Sequence, residues 1–190
     1  TDKAIDGKPL KAGIVGCVGR GSGAAQNFLN AADNVTITAL GDVFPDRVEN
    51  LKNSLKEKGV DVPSENCFTG FDAYQKVIDS GVDVVLLCTP PVFRPDHFKY
   101  ATEKGVHSFL EKPAAVDPEG YRSLVATAKQ ADAKGLKVIT GTQRHHERSY
   151  VASYQKIMEG MIGEITGGAV YWNQSMLWYR NREQGWSDME

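Results

Sequence analysis

Lys11-Ala12-Gly13-Ile14-Val15-Gly16-Cys17-Val18-Gly19-Arg20-Gly21 decides how the whole chain is read. Its first half is a short apolar run ending in glycine, with the length and flanks of a buried strand. Beyond it, Gly23-Ala24-Ala25-Gln26-Asn27-Phe28-Leu29 supplies good helix formers after a glycine-rich turn. Strand, glycine turn and helix in that order suit a pyrophosphate, because a helix N-terminus offers unpaired N–H groups and a partial positive charge. Gly16 makes the tight turn, and Gly21 lets helix and strand pack closely. The middle glycine of G-x-G-x-x-G, where backbone approaches phosphate, is Val18 here, and Val18 is expected to weaken binding by crowding. Gly19 and Gly21 restore clearance. Gly19-Arg20-Gly21-Ser22-Gly23-Ala24 is a second match three residues on; the first register is preferred because Gly16 directly ends the strand.

The next strand, Val35-Thr36-Ile37-Thr38-Ala39-Leu40, is β-branched and closes on Gly41-Asp42, 21 residues after Gly21. An acid at that distance hydrogen-bonds the adenosine ribose hydroxyls. It also repels the 2′-phosphate of NADP, since one charge pair at about 4 Å is worth roughly 4 kcal/mol at an effective dielectric of about 20. NAD is therefore the expected cofactor over NADP, a preference that Arg20 and Arg47 soften by their nearness in sequence.

The alternation continues outward. Pro45 opens a helix with Val48, Leu51 and Leu55 at 3–4 spacing, and Asp72 is placed to cap a short helix through Ile78. Val82-Asp83-Val84-Val85-Leu86-Leu87-Cys88 is a strand that stops at Thr89-Pro90-Pro91, followed by a helix about Asp96–Lys104. Val106 to Leu110 is a strand closed by Glu111-Lys112-Pro113. Asp117-Pro118-Glu119 starts a helix that runs to about Lys134, and Leu136 to Thr140 is the last strand of the series. Near-continuous apolar strands alternating with helices predict an α/β fold, a doubly wound parallel sheet covered on both faces. After residue 142 the pattern changes. Arg148 to Met161 reads as one helix and Ile165 to Trp172 as a glycine-interrupted strand, opening a second domain over 143–190. The tail carries Trp172, Trp178 and Trp186 without a period that would bury them.

Composition narrows the function. The chain has 190 residues, a net charge of −2, 41% hydrophobic and 24% charged residues. That balance excludes a broad electrostatic grip on nucleic acid or an anionic membrane, and no apolar run approaches the roughly 18 residues of a membrane span. Thr1 to Asp6 has no apolar stretch, so any signal peptide is expected to be absent or already removed. Cys17, Cys67 and Cys88 are odd in number and far apart, which argues against a disulfide framework and allows a cytoplasmic setting.

Ligands of open parallel sheets bind beyond the carboxyl ends of the strands. The polar groups expected there are Thr89, Glu111, Lys112 and Gln143, with His97 just past the fourth strand. Lys112 is the catalytic candidate: its ammonium can donate to a substrate oxygen, stabilise developing charge and supply a proton on reduction. His146-Glu147-Arg148-Ser149-Tyr150 ends in Tyr and so fails H-E-x-x-H, and the cysteines and histidines lack metal-ligand spacing. His146 is either a substrate contact or a histidine satisfied in a helix cap. Cys17 and Cys88 read as small fillers, and Ser22 has no nucleophile elbow around it.

These stretches, with Gly141-Thr142-Gln143-Arg144-His145-His146 and Gly160-Met161-Ile162-Gly163-Glu164-Ile165, resemble the glucose–fructose oxidoreductase, inositol dehydrogenase and rhizopine-catabolism family (Gfo/Idh/MocA), in family order over nearly the whole chain. The resemblance implies an N-terminal NAD(P)-binding Rossmann domain over 1–142 and a C-terminal α+β domain with an open, mostly antiparallel sheet. It implies hydride transfer between nicotinamide and a hydroxyl-bearing carbon of a sugar or cyclitol. Lys112 matches the family's catalytic lysine, and the peptide before Pro113 is often cis in such proteins. Gly16, Val18, Gly19, Arg20, Gly21, Asp42, Arg47, Thr89, Pro90, His97, Glu111, Lys112 and Gln143 are then the cofactor-binding set. Arg144, His146 and Trp172 fall on the substrate side.

The departures are as informative. Family members usually exceed 300 residues, and their second domain carries an aspartate and a later histidine that complete proton handling. That pair is not found; Asp188 is the only acid with an approach, and no histidine follows it. The chain therefore reads as the N-terminal portion of a longer enzyme, weakly active or inactive by itself and a homo-oligomer in full-length form. A periplasmic setting is known among relatives. So is a glycoside hydrolase chemistry that uses tightly held NAD for transient oxidation. A non-catalytic NAD-binding module is the third reading.

Overall fold

The computed structural model describes residues 8–175 and 181–187; the expectations placed on Thr1–Asp6, Trp178 and Asp188 lie outside them. By its internal contacts the chain divides into two units, Thr1–Gln143 and Arg144–Glu190.

In the first unit, strands β1 (Leu10–Val15), β2 (Val35–Asp42), β3 (Cys67–Thr69), β4 (Val84–Leu87), β5 (His107–Leu110) and β6 (Val138–Thr140) pair in parallel. Their order is β3-β2-β1-β4-β5-β6, so the chain winds outward from β1 in both directions and the order reverses between β1 and β4. Helices α1 (Arg20–Leu29), α2 (Pro45–Lys56), α3 (Ala73–Asp79), α4 (Arg94–Glu103) and α5 (Pro118–Ala133) fill the crossovers.

The strands are apolar on both sides because both sides are covered. Successive residues of a strand face opposite ways. Ile14, Leu40 and Leu86 join Ala24 and Ala25 of α1 and Val48, Leu51 and Leu55 of α2 in one core cluster. Their neighbours Val15, Ala39, Val85 and Leu87 join Val77 and Ile78 of α3, Phe98 and Ala101 of α4 and Ala131 of α5 in the other. The 3–4 spacing after Pro45 thus marks the buried stripe of α2, with Pro45 in its first turn. Asp117 caps α5 as its sequence indicates, accepting from the Gly120 N–H at 2.7 Å.

Several expectations need correction. Helix α1 begins at Arg20, three residues before Gly23, because the glycine turn itself enters the helix. Helix α4 begins at Arg94 rather than Asp96. Asp72 sits at the N-cap of α3, but its carboxylate pairs with Lys76 at 2.8 Å and makes no cap bond. Strand β3 went unpredicted: three residues are too short for a period, and only pairing with Leu40–Asp42 defines them.

In the second unit, α6 (Arg148–Met158) ends three residues short of Met161, where the chain turns at Gly160. Ile165–Trp172 is not a strand. Among the described residues no strand pairs with it, and Val170, Tyr171 and Trp172 are exposed. A single extended segment without a ladder partner has nothing to hold it as a strand.

Candidate functional site

Register brings the carboxyl ends of the central strands level. Val15 lies opposite Leu87 and Gly41, and Leu87 opposite Leu110. The residues that follow, Gly16, Asp42, Cys88 and Glu111, therefore form one row at the switch point, with Thr89 one residue further on, where an open parallel sheet leaves a crevice.

Gly16 closes the first strand with φ +92°, and its N–H donates to Gly41 O at 2.8 Å. A Cβ at Gly16 would stand 2.8 Å from the backbone of Cys88 and Thr89, and one at Gly21 would stand 1.7 Å from Gly16 O. Helix and strand touch through these two positions, so the demand for glycine falls on the ends of the first register. At Gly23, by contrast, a Cβ would meet only the movable end of Arg20. Gly19, the N-cap residue of α1, has open space where a Cβ would be. No side chain caps α1, and among the described residues the Val18 and Gly19 amides make no hydrogen bond. Open amides at a helix N-terminus, with no side chain in front of them, fit a pyrophosphate. Val18 itself is half-exposed beside them.

Asp42 is buried at the end of β2. Its Oδ2 accepts from the Cys17 N–H at 2.8 Å and its Oδ1 from the Phe44 N–H at 3.2 Å. Arg47 Nη1 lies 3.9 Å from Oδ1, with its guanidinium over the Phe44 ring at 4.2 Å. The carboxylate is thereby fixed under the glycine turn and partly balanced by Arg47.

Beyond β5, the Lys112–Pro113 peptide is cis. Glu111 is buried. Arg20 Nε donates to its Oε1 at 2.7 Å and the Lys112 N–H to its Oε2 at 3.2 Å, so the glycine turn and the lysine segment are tied across the crevice. Lys112 is exposed, and its ammonium has no partner among the described residues.

His97 is buried rather than open to the crevice. It stacks on Tyr74 at 4.0 Å between ring centroids, and its Nδ1 lies 3.3 Å from Thr89 Oγ1. Burial, with the Arg94 charge adding, pulls it down to about 4, so it is neutral and supports Thr89 from behind. Burial also pushes the Cys88 thiol up to about 12 and the Cys17 thiol well above its ordinary range, which suits fillers rather than nucleophiles. Pro90 and Gln143 are exposed at the same edge. Sequence reasoning missed Arg94 and Tyr74. Arg94 carried one faint signal, its place beside Pro95 just after a strand end.

In the second unit, the Arg144 guanidinium lies 4.9 Å from the Tyr150 ring and 5.5 Å from the Trp172 ring. It donates to the Tyr150 hydroxyl at 2.7 Å and stands 3.7 Å from Glu147. His146 is exposed.

A reversal between β1 and β4 with a glycine turn at β1 defines a dinucleotide-binding domain of the Rossmann class. Within that class, the chain belongs to the Gfo/Idh/MocA family: residues 10–140 match the model described as the oxidoreductase family, NAD-binding Rossmann fold. Among curated relatives, a glycosyl hydrolase family 109 protein of Streptomyces coelicolor is 25% identical over 84% of this chain and 33% of its own length. The inositol 2-dehydrogenase/D-chiro-inositol 3-dehydrogenase of Lactiplantibacillus plantarum is 27% identical over 81% of this chain and 41% of its own. Among solved structures, scyllo-inositol dehydrogenase of Lactobacillus casei, with bound NAD(H) and scyllo-inositol, superposes with a TM-score of 0.70. It is 27% identical over 84% of this chain and 44% of that one. The chain thus spans less than half the length of these relatives.

Proposed function

We propose that the protein is an NAD-dependent oxidoreductase that moves a hydride between nicotinamide and a hydroxyl-bearing carbon of a sugar or cyclitol. The observation that carries the reading is the placement of Lys112: an exposed side chain at the carboxyl edge of β5, without a partner among the described residues and tied through Glu111 and Arg20 to the glycine turn. NAD, when bound, supplies the acceptor for the hydride leaving carbon. The open amides around Gly19 would hold its pyrophosphate and Asp42 its ribose hydroxyls. Lys112 Nζ, as the neutral amine, takes the hydroxyl proton as the carbonyl forms, and as the resulting ammonium returns it in the reverse direction. Arg144, His146 and Trp172 are proposed to face the substrate. NAD is preferred to NADP because of Asp42, and a homo-oligomer is proposed for the whole protein. Among the described residues no helix is long and apolar enough to cross a membrane.

Lys112→Met in the whole protein tests this, since this chain by itself is expected to be weakly active or inactive. With scyllo-inositol and myo-inositol as probes, NADH formation should fall by orders of magnitude, while stabilisation of the folded state by NAD is kept. Unchanged turnover in the variant overturns the assignment. A second reading, hydrolysis of a glycoside with NAD cycling, is favoured by the glycosyl hydrolase names among the relatives. It predicts release of the aglycone without net NADH, whereas the dehydrogenase accumulates NADH.

A further inference from the structure

We propose that Arg94 is the residue that positions Lys112, an inference that rests on the reading of Lys112 as the proton-transferring group. Arg94 opens α4 and is 5% exposed. Its Nη1 donates to Glu111 O at 2.6 Å and also to Pro113 O. These carbonyls flank Lys112 on either side. One nitrogen carries two protons, and both are used on the main chain at the residues before and after the lysine. The Lys112 N–H is bound in turn by the Glu111 carboxylate, which Arg20 anchors. The Lys112 backbone is therefore held at three consecutive points, two of them by a single guanidinium.

The Glu111 carboxylate favours the Arg94 charge from nearby but does not pair with it. Arg94 makes no ion pair among the described residues, and its Nε is buried without a partner. Burial lowers its pKa. Burying a guanidinium with an unmet donor and no carboxylate paired to it is costly, and an apolar side chain of similar volume would pack without that cost. The two carbonyls around Lys112 are what an apolar residue could not serve. Helix α4 is itself fixed to the core through Phe98 and Ala101, so Arg94 transmits a rigid reference to the one turn whose side chain must meet the substrate oxygen. Positioning of this kind matters because a misplacement of about 1 Å at the reacting atoms can cost a hundredfold in rate.

The test uses the 190-residue chain labelled with carbon-13 lysine. The Lys112 Cε signal is identified by its absence in Lys112→Arg, and NADH is titrated in. In the wild type the signal shifts on binding. In Arg94→Met the NADH Kd is expected to stay within about threefold, since Arg94 touches no part of the glycine turn, while the Lys112 shift is largely lost. Arg94→Lys, which keeps donors on a shorter reach, should recover part of it. A full Lys112 shift in Arg94→Met overturns the proposal. So does loss of NADH binding in parallel with the shift, or failure of both Arg94 variants to fold, either of which would make Arg94 a structural residue only. If Arg94→Met alone fails to fold, a partial shift in Arg94→Lys supports the proposal and a full one overturns it. A wild-type Lys112 signal that ignores bound NADH refutes the role of Lys112 instead, which separates the two failures.

Discussion

Replacing Gly21 by alanine puts the contact between α1 and β1 to the test. The new Cβ would stand 1.7 Å from Gly16 O, where real Cβ contacts do not come under 3.0 Å, so helix or turn must retreat by at least 1.3 Å. The obstacle is backbone, which cannot swing aside as a side chain can. Overpacking of this kind costs about 1–3 kcal/mol, and at roughly 2–4 °C per kcal/mol the melting midpoint should fall by about 2–12 °C. The retreat also carries the open amides of Val18 and Gly19 out of register with a pyrophosphate, so NAD should lose its stabilising effect. In the wild type that effect is about 2.7 kcal/mol at a hundred times the Kd. Gly19→Ala is the matched comparison. Its Cβ enters open space, and the cost is one of backbone strain alone, about 1–3 kcal/mol for a side chain held at φ +57° and ψ −109°. It too should blunt the NAD response, because the methyl occupies the pyrophosphate's approach. Differential scanning fluorimetry with and without NAD reads both quantities. A Gly21→Ala chain as stable as the wild type, with its NAD shift intact, would refute the proposed turn geometry.

Three other outcomes follow from the same geometry. His97 sits at about 4 in the folded chain against an ordinary 6.5, so between those values the unfolded state binds the extra proton. Stability is then full above pH 6.5 and falls by roughly 3 kcal/mol as pH drops to about 4; urea midpoints should show this slope, and an unchanged slope in His97→Gln would sink the assignment. Asp42→Ala should narrow the preference for NAD over NADP in paired binding titrations. It should also cost about 1–3 kcal/mol by stranding the buried Cys17 amide, and a preference that does not move removes Asp42 from the cofactor site. Val18→Gly should tighten NAD binding by uncrowding the turn, whereas weaker binding would mean that the glycine register is misassigned.

The core was legible because its signal is local. Val84–Leu87 is a continuous apolar run, Val48, Leu51 and Leu55 repeat at helical spacing, and Asp117-Pro118 announces a helix start; each needs only its neighbours in sequence to be read. The glycine turn and Asp42 were legible for a similar reason, since their separation along the chain is itself the motif. What sequence could not supply is pairing at a distance. Cys67–Thr69 becomes a strand only beside Leu40–Asp42, and Ile165–Trp172, strand-like in composition, has no described neighbour to make it one. Arg94 belongs to the same group. Its role depends on carbonyls 17 and 19 residues away, brought to it by the packing of α4 against β5, and no spacing rule reports that. His97 was found by sequence, but its burial and its stacking on Tyr74 were not, because a histidine near a strand end gives no sign of how deep it lies.

Calorimetric titration of this chain with NAD and then with NADP tests the central claim most directly. One NAD should bind per chain. NADP should bind at least about tenfold more weakly, a difference of about 1.4 kcal/mol that allows for Arg47 offsetting part of the Asp42 charge at 3.9 Å. Absence of binding by either nucleotide, or tighter binding of NADP, would contradict the account of the Gly16–Gly21 turn and Asp42 as an NAD site.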